Sequence, residues 1–213
     1  MAEKRVLIFA GGNMSPVYLE EIRPNDLIIG ADRGALFLVE HGIDPHISVG
    51  DFDSITQDEL DKVRSASGEI ITCDPVNKDL TDTELAYVIA LDHQATEIVM
   101  MGVTGTRLDH TLANIQIMLR GLQHQIQSAI CDTHNYITLT GSTSVIQDRG
   151  FTYVSLLPLT PEVTGISLTG FKYPLENATL RMGQSLGISN QLVEQEGTIR
   201  IESGLLLIIQ SRD

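Results

Sequence analysis

A change of periodicity part-way along the chain limits its fold more than any other feature. From the start to about residue 132, short apolar runs rich in β-branched residues alternate with longer amphipathic stretches, the pattern of a parallel sheet covered by helices. After about residue 140, Thr, Ser, Gly and Val dominate, and short runs are punctuated by Gly165, Gly170, Pro174, Gly183, Gly187, Gly197 and Gly204. That texture reads as all-β. The expected division is an α/β domain over residues 1–140 and a small β-sandwich over residues 141–213.

Within the first part, strands are expected at 6–10, 27–31, 47–50, 69–73, 98–101 and 128–131. Helix starts are marked by Ser15-Pro16 and by two capping boxes, Thr56 with Glu59 and Thr81 with Glu84. In the helix opened by Thr81, Leu85, Val88 and Ile89 fall on one face and should pack on the sheet, with Glu84, Tyr87 and Asp92 elsewhere. A further helix over 108–122 repeats the spacing with Leu108, Leu112, Ile115, Leu119 and Leu122. In the second part, strands are expected at 151–157, 166–168, 178–180, 198–201 and 205–209.

A formal charge of -14 argues against nucleic acid and anionic membrane as partners, because both need clustered Lys and Arg. The same excess suits a site that gathers divalent cations or a cationic substrate, and equally a plain acidic surface. Cys73 and Cys131 are the two cysteines and stand in no metal-type pairing, so a reducing, cytoplasmic setting is expected. The apolar run 6–10 is too short for a signal peptide, and no later run reaches transmembrane length.

Ligands of a parallel sheet bind beyond the carboxyl ends of its strands. Those ends carry acids here: Asp32 after the second expected strand, Asp51 and Asp53 after the third, Asp74 after the fourth and Asp132 after the sixth. Lys78, Asp79 and Asp82 precede one helix, and Arg107, Asp109 and His110 open another. Each Asp alone reads as a turn or cap residue. Together they would repel one another unless a divalent cation sat among them, and Mg²⁺ is the cation that carboxylates and phosphate oxygens share. Asp51 and Asp53, two residues apart in an expected extended stretch, are the strongest ligand candidates. Lys78 and Arg107 are the candidate phosphate partners, and glycines in the 102–107 segment and in Gly11-Gly12-Asn13 would let backbone approach a phosphate. No Gly-x-x-x-x-Gly-Lys-Ser/Thr loop is present, and Asp51-Phe52-Asp53 lacks the catalytic loop of protein kinases.

The ordered blocks Ala31-Asp32-Arg33-Gly34-Ala35, Val49-Gly50-Asp51-Phe52-Asp53-Ser54, Lys78-Asp79-x-Thr81-Asp82 and Gly102-x-x-Gly105-x-Arg107-x-Asp109-His110-Thr111-x-x-Asn114 resemble the bacterial thiamine pyrophosphokinase family. Gly170-Phe171-Lys172-Tyr173-Pro174-Leu175 and Gly187-Ile188-Ser189-Asn190 extend the resemblance into the second domain. It implies a Rossmann-like α/β catalytic domain, a C-terminal β-sandwich that binds thiamine, and a homodimer with active sites between one subunit's catalytic domain and its partner's sandwich. It further implies transfer of a pyrophosphoryl group from ATP to thiamine, giving AMP. Asp51, Asp53 and Asp79 would then serve Mg²⁺, with Asp82 and Asp109 close by. Asp32, Lys78 and Arg107 would bind the nucleotide, and Ser189 and Asn190 the aminopyrimidine of thiamine. The chain departs from the family pattern at Thr106 and Gln191 and has no Trp to stack on thiamine. A small-molecule kinase or nucleotide phosphohydrolase on the same acidic edge, and a non-catalytic thiamine or nucleotide sensor, are the alternatives.

Overall fold

Strand β1 (Arg5–Phe9) is apolar on both faces, and Val6, Leu7, Ile8 and Phe9 are fully buried, as a strand in the middle of a covered parallel sheet requires. The computed structural model describes residues 3–72 and 80–213. The chain divides into two compact units, Met1–Thr133 and His134–Asp213.

In the first unit β1 is joined by β2 (Leu27–Ala31), β3 (Ile47–Gly50), β4 (Glu69–Thr72), β5 (Glu97–Met101) and β6 (Gln127–Cys131) in the order β4-β3-β2-β1-β5-β6. The pairings β1–β2, β1–β5, β2–β3, β3–β4 and β5–β6 are all parallel. All the strands expected here are present to within a residue at the ends that are described. Helices α1 (Arg33–Glu40), α2 (Gln57–Ala66), α3 (Asp82–Asp92) and α4 (Leu108–Gln123) connect them, with a 3₁₀ helix at Pro16–Glu21.

Local chemistry explains where the helices depart from expectation. Helix α1 carries no capping signal, because Asp32 at its N-cap makes no side-chain cap bond. Thr56 and Glu59 form the full reciprocal box at α2. At α3 Thr81 accepts from the Glu84 N–H, but the Glu84 carboxylate pairs instead with Arg120 of α4 at 2.6 Å. Of the expected Leu85-Val88-Ile89 stripe Ile89 is buried, together with Ala86, Tyr87 and Ala90, while Leu85 and Val88 are half-buried. Ala86 and Ala90 are small enough to let the helix approach the sheet, and the Tyr87 ring is fully buried with its hydroxyl 2.5 Å from Ser128 Oγ. Gly121 of α4 lies directly against that hydroxyl, where any side chain would collide with it. Helix α4 therefore buries Asn114, Ile117, Met118 and Gly121, and leaves Leu108 71% and Leu112 57% exposed.

The second unit is a sandwich of two antiparallel sheets. Strands β7 (Asn135–Thr140), β13 (Leu206–Ser211) and β9 (Tyr153–Pro158) pair in that order. The other sheet runs β11 (Ala178–Arg181), β10 (Glu162–Thr169), β12 (Glu196–Arg200), β8 (Ser144–Gln147). Alternation along β9 sends Val154, Leu156 and Pro158 inward, and the core joins Leu156, Leu206 and Ile208 to Val163, Ile166, Leu180 and Ile199 of the facing sheet. Strands β7 and β8 lie outside the expected set. Their Thr- and Ser-rich stretches around Gly141 lack a strong apolar run, and β7 is held by six-residue pairing with β13. No helix among the described residues is long and apolar enough to cross a membrane.

Candidate active site

The loops that follow β1, β2 and β5, with the start of α3, enclose a cleft of about 390 Å³. Its lining includes Gly11, Gly12 and Asn13, then Asp32, Thr81 and Asp82, and the whole 102–107 segment with His110 and Thr111. The first and last of these loops are zipped together as a continuation of the β1–β5 ladder. Ala10 N–H donates to Met101 O (2.9 Å), Gly12 N–H to Gly102 O (2.6 Å) and Asn13 N–H to Thr104 O (2.9 Å). A side chain on Gly12 would collide with the carbonyls of Gly102 and Thr104, so glycine is required there for the close approach. Buried Asn114 donates from Nδ2 to Val103 O at 2.8 Å. The carbonyl oxygens of residues 102, 103 and 104 thus each accept a hydrogen bond from within the protein, which fixes the path of this loop along the cleft.

Asp32 sits where the cleft meets a second acidic group. Its backbone is at φ 51, ψ -120, a costly conformation for a non-glycine residue. It is held there by Asp32 N–H to Val49 O (2.9 Å), Ala35 N–H to Asp32 O (3.0 Å) and the Ser54 hydroxyl donating to Asp32 Oδ2 (2.6 Å). The other oxygen, Oδ1, is buried and has no hydrogen-bond partner among the described residues. Burial, followed by the charges of Asp82 and Asp51, pushes the Asp32 carboxyl above its ordinary value, against the pull of the Ser54 hydroxyl and of the nearby Arg33 N–H.

Asp51 and Asp53 join Asp32, with one carboxylate oxygen from each lying within 4.8 Å of the others. The segment between them is a turn rather than the extended stretch expected. Phe52 is left-handed at φ 56 and buries its ring with Ala35, Leu36 and Val63, which leaves its two acidic neighbours on one side, braced by Asp53 N–H to Asp51 Oδ1 at 3.2 Å. Three hard oxygen donors, one of them buried with no hydrogen-bond partner among the described residues, fit a divalent cation such as Mg²⁺.

Arg107, at the N-cap of α4, is exposed and forms a fork with Asp109, Nη2 to Oδ2 at 2.5 Å and Nε to Oδ1 at 3.2 Å. The Arg107 bonds hold the Asp109 carboxyl down at about 2. Asp132 accepts from the Thr104 hydroxyl at 2.9 Å. Asp74, Lys78 and Asp79 lie outside the described residues. In the second unit Asn190 is buried, with Oδ1 accepting from Tyr173 N–H (3.0 Å) and Gln191 N–H (2.8 Å) and Nδ2 donating to Tyr173 O (2.8 Å). Ser189 is exposed at φ 57, with its N–H on Ser155 Oγ at 3.0 Å.

Residues 18–130, which carry the acidic group and all of the cleft except its wall at residues 10–13, match the family model described as thiamin pyrophosphokinase, catalytic domain, and residues 143–206 match the thiamin pyrophosphokinase vitamin B1 binding domain. The chain belongs to the thiamine pyrophosphokinase family. It is 36% identical to the thiamine pyrophosphokinase of Bacillus subtilis, over 99% of this chain and 100% of that one. A crystal structure of the Bacillus subtilis thiamine pyrophosphokinase superposes with a TM-score of 0.92 at 35% identity, covering 99% of this chain and 100% of that one. The Geobacillus thermodenitrificans thiamin pyrophosphokinase gives 0.88 at 32% identity, with 98% of each chain covered.

Relative to the thiamine pyrophosphokinase blocks read in the sequence, the structure adds contacts to residues that had no role. Ser54 and Asn114 stand in those blocks, yet only the fold reveals that they hold the Asp32 carboxylate and the Val103 carbonyl respectively. Asp32, expected among nucleotide-binding residues, is the third member of the acidic group.

Proposed function

We infer that this chain is an ATP-dependent thiamine pyrophosphokinase whose catalytic chemistry lies on the first unit. The observation that carries this reading is the meeting of Asp32, Asp51 and Asp53, within the stretch matched by the family's catalytic domain, with Asp32 also lining the cleft.

Mg²⁺ would be held by Asp32, Asp51 and Asp53, and when bound it supplies positive charge against the phosphate oxygens. The protein's own part is positioning and electrostatics. The thiamine hydroxyl oxygen forms a bond to the β-phosphorus of ATP, the bridge between the α- and β-phosphoryl groups breaks, AMP leaves and the hydroxyl proton is released. Arg107 would meet the polyphosphate, aimed by its fork with Asp109. Forked to Arg107 on both oxygens, Asp109 is placed to orient that guanidinium. The zipped loops 10–13 and 102–104 form a fixed wall of the cleft, and Asp82 lines the cleft at the start of α3. The family resemblance adds Lys78 and Asp79 to these groups. Thiamine is assigned to the second unit, where the Asn190 amide accepts from the Tyr173 and Gln191 N–H groups and so ties their two segments together, and Ser189 beside it is exposed.

Chromatography of nucleotides after incubation with ATP and Mg²⁺ tests the reaction. AMP is expected in amounts equal to the thiamine consumed and none without thiamine. ADP or inorganic phosphate as the product would favour a kinase or phosphohydrolase, and tight thiamine binding without product would favour a sensor. A cytoplasmic homodimer is part of the same proposal, supported by the exposed Leu108 and Leu112 on α4. Sedimentation at twice the chain mass is expected, and a monomer at micromolar concentration would contradict it.

A further inference from the structure

Asp132 was singled out by its place after β6, yet it is not among the three acids that gather. Its Oδ2 accepts the Thr104 hydroxyl at 2.9 Å, and Thr104 lines the cleft in the middle of the loop after β5. That loop is already tied at three successive carbonyls, to Gly12, Asn114 and Asn13. Thr104 is where two of these restraints meet, since its carbonyl is held from the β1 loop and its side chain from the end of β6. Just beyond it the chain runs through Gly105 and Thr106 to Arg107, so the last side-chain anchor before the cation is Thr104.

We propose that Thr104 and Asp132 are positioning residues that hold the 102–107 loop in the orientation that receives the nucleotide polyphosphate. This rests on the reading of the cleft as the nucleotide site. A hydroxyl donating to a carboxylate is among the stronger neutral-to-charged hydrogen bonds. Without it the loop keeps only its backbone ties and the Asn114 bond, and the run from residue 105 to Arg107 is less firmly placed against the polyphosphate. Affinity for nucleotide falls while thiamine, held by the other unit, is unaffected.

The test measures the wild-type enzyme, Thr104→Val, Thr104→Ser, Asp132→Ala and the double variant Thr104→Val/Asp132→Ala, each by steady-state kinetics in both substrates and by binding of a fluorescent trinitrophenyl ATP. Thr104→Val keeps the shape of the side chain and removes the donor, and it is expected to raise the KM for ATP and the dissociation constant of the analogue roughly ten-fold, with the thiamine KM unchanged. Thr104→Ser, which keeps the donor, is expected to restore both. Asp132→Ala is expected to match Thr104→Val, and the double variant to be no worse than either single one, the signature of a shared interaction. An unchanged ATP response in Thr104→Val, equal losses for both substrates, or failure of Ser to restore binding would each overturn the proposal while the reading of the site stands. If the wild-type protein makes no AMP from ATP and thiamine, that reading fails and takes the proposal with it. Should Asp132→Ala not fold, the two Thr104 variants decide the matter by themselves.

Discussion

Asp32 carries a conflict that is informative about its task. It occupies a strained backbone conformation, buries one oxygen with no hydrogen-bond partner among the described residues and faces the charges of Asp82 and Asp51, an arrangement that costs stability and persists where function requires it. Because its folded-state pKa lies above the ordinary carboxylate value, the folded protein binds the proton more readily than the unfolded chain. The penalty is therefore absent at pH below about 3.8 and grows as pH rises through the raised value. Asp32→Asn is expected to melt at the same or a higher temperature than the wild type at pH 7 without metal, with the difference shrinking as the pH is lowered, while turnover falls roughly a hundred-fold. Calorimetry across pH beside an activity assay checks both, and a variant that is less stable at pH 7 and equally active would contradict the account.

At the scale of elements, what the amino-acid order makes legible is whatever depends on local chemistry. The Thr56–Glu59 box is complete in the structure because both partners are close in sequence and compete with nothing else. Thr56→Ala is expected to cost about 1 kcal/mol, read as a fall in melting temperature of about 2–4 °C for a chain of this size; no fall would mean that the box contributes nothing. The same motif at Thr81 is only half made, since Glu84 finds Arg120 across a helix–helix contact that no local pattern announces. Tyr87 escaped the periodicity argument for a similar reason. Its burial depends on Ser128 and Gly121, both more than thirty residues away in sequence. Helix α1 was illegible because the residue at its cap turns its carboxylate to Ser54. At the site, the acids, Asp32 included, and Arg107 are readable from their placement at strand ends and a helix start, whereas the turn that carries Asp51 and Asp53 depends on the left-handed Phe52, which an aromatic residue does not advertise.

For the molecule as a whole, a formal charge of -14 is spread over a chain whose catalytic unit brings three acids within 4.8 Å of one another. The sheet supplies the rigid frame, with β1 fully buried at its centre, and the loops at the carboxyl ends supply the chemistry, the division of labour expected of an open parallel sheet. The central claim is that Asp32, Asp51 and Asp53 together hold the divalent cation of this transferase. Electron paramagnetic resonance titration with Mn²⁺, in the presence of α,β-methylene ATP, tests it most directly on the wild type and on Asp32→Asn, Asp51→Asn and Asp53→Asn. The account predicts saturable binding to the wild type and at least a roughly ten-fold loss of affinity in each variant, with melting temperatures unchanged or raised. Equal Mn²⁺ affinity in all four proteins would place the metal elsewhere and contradict it.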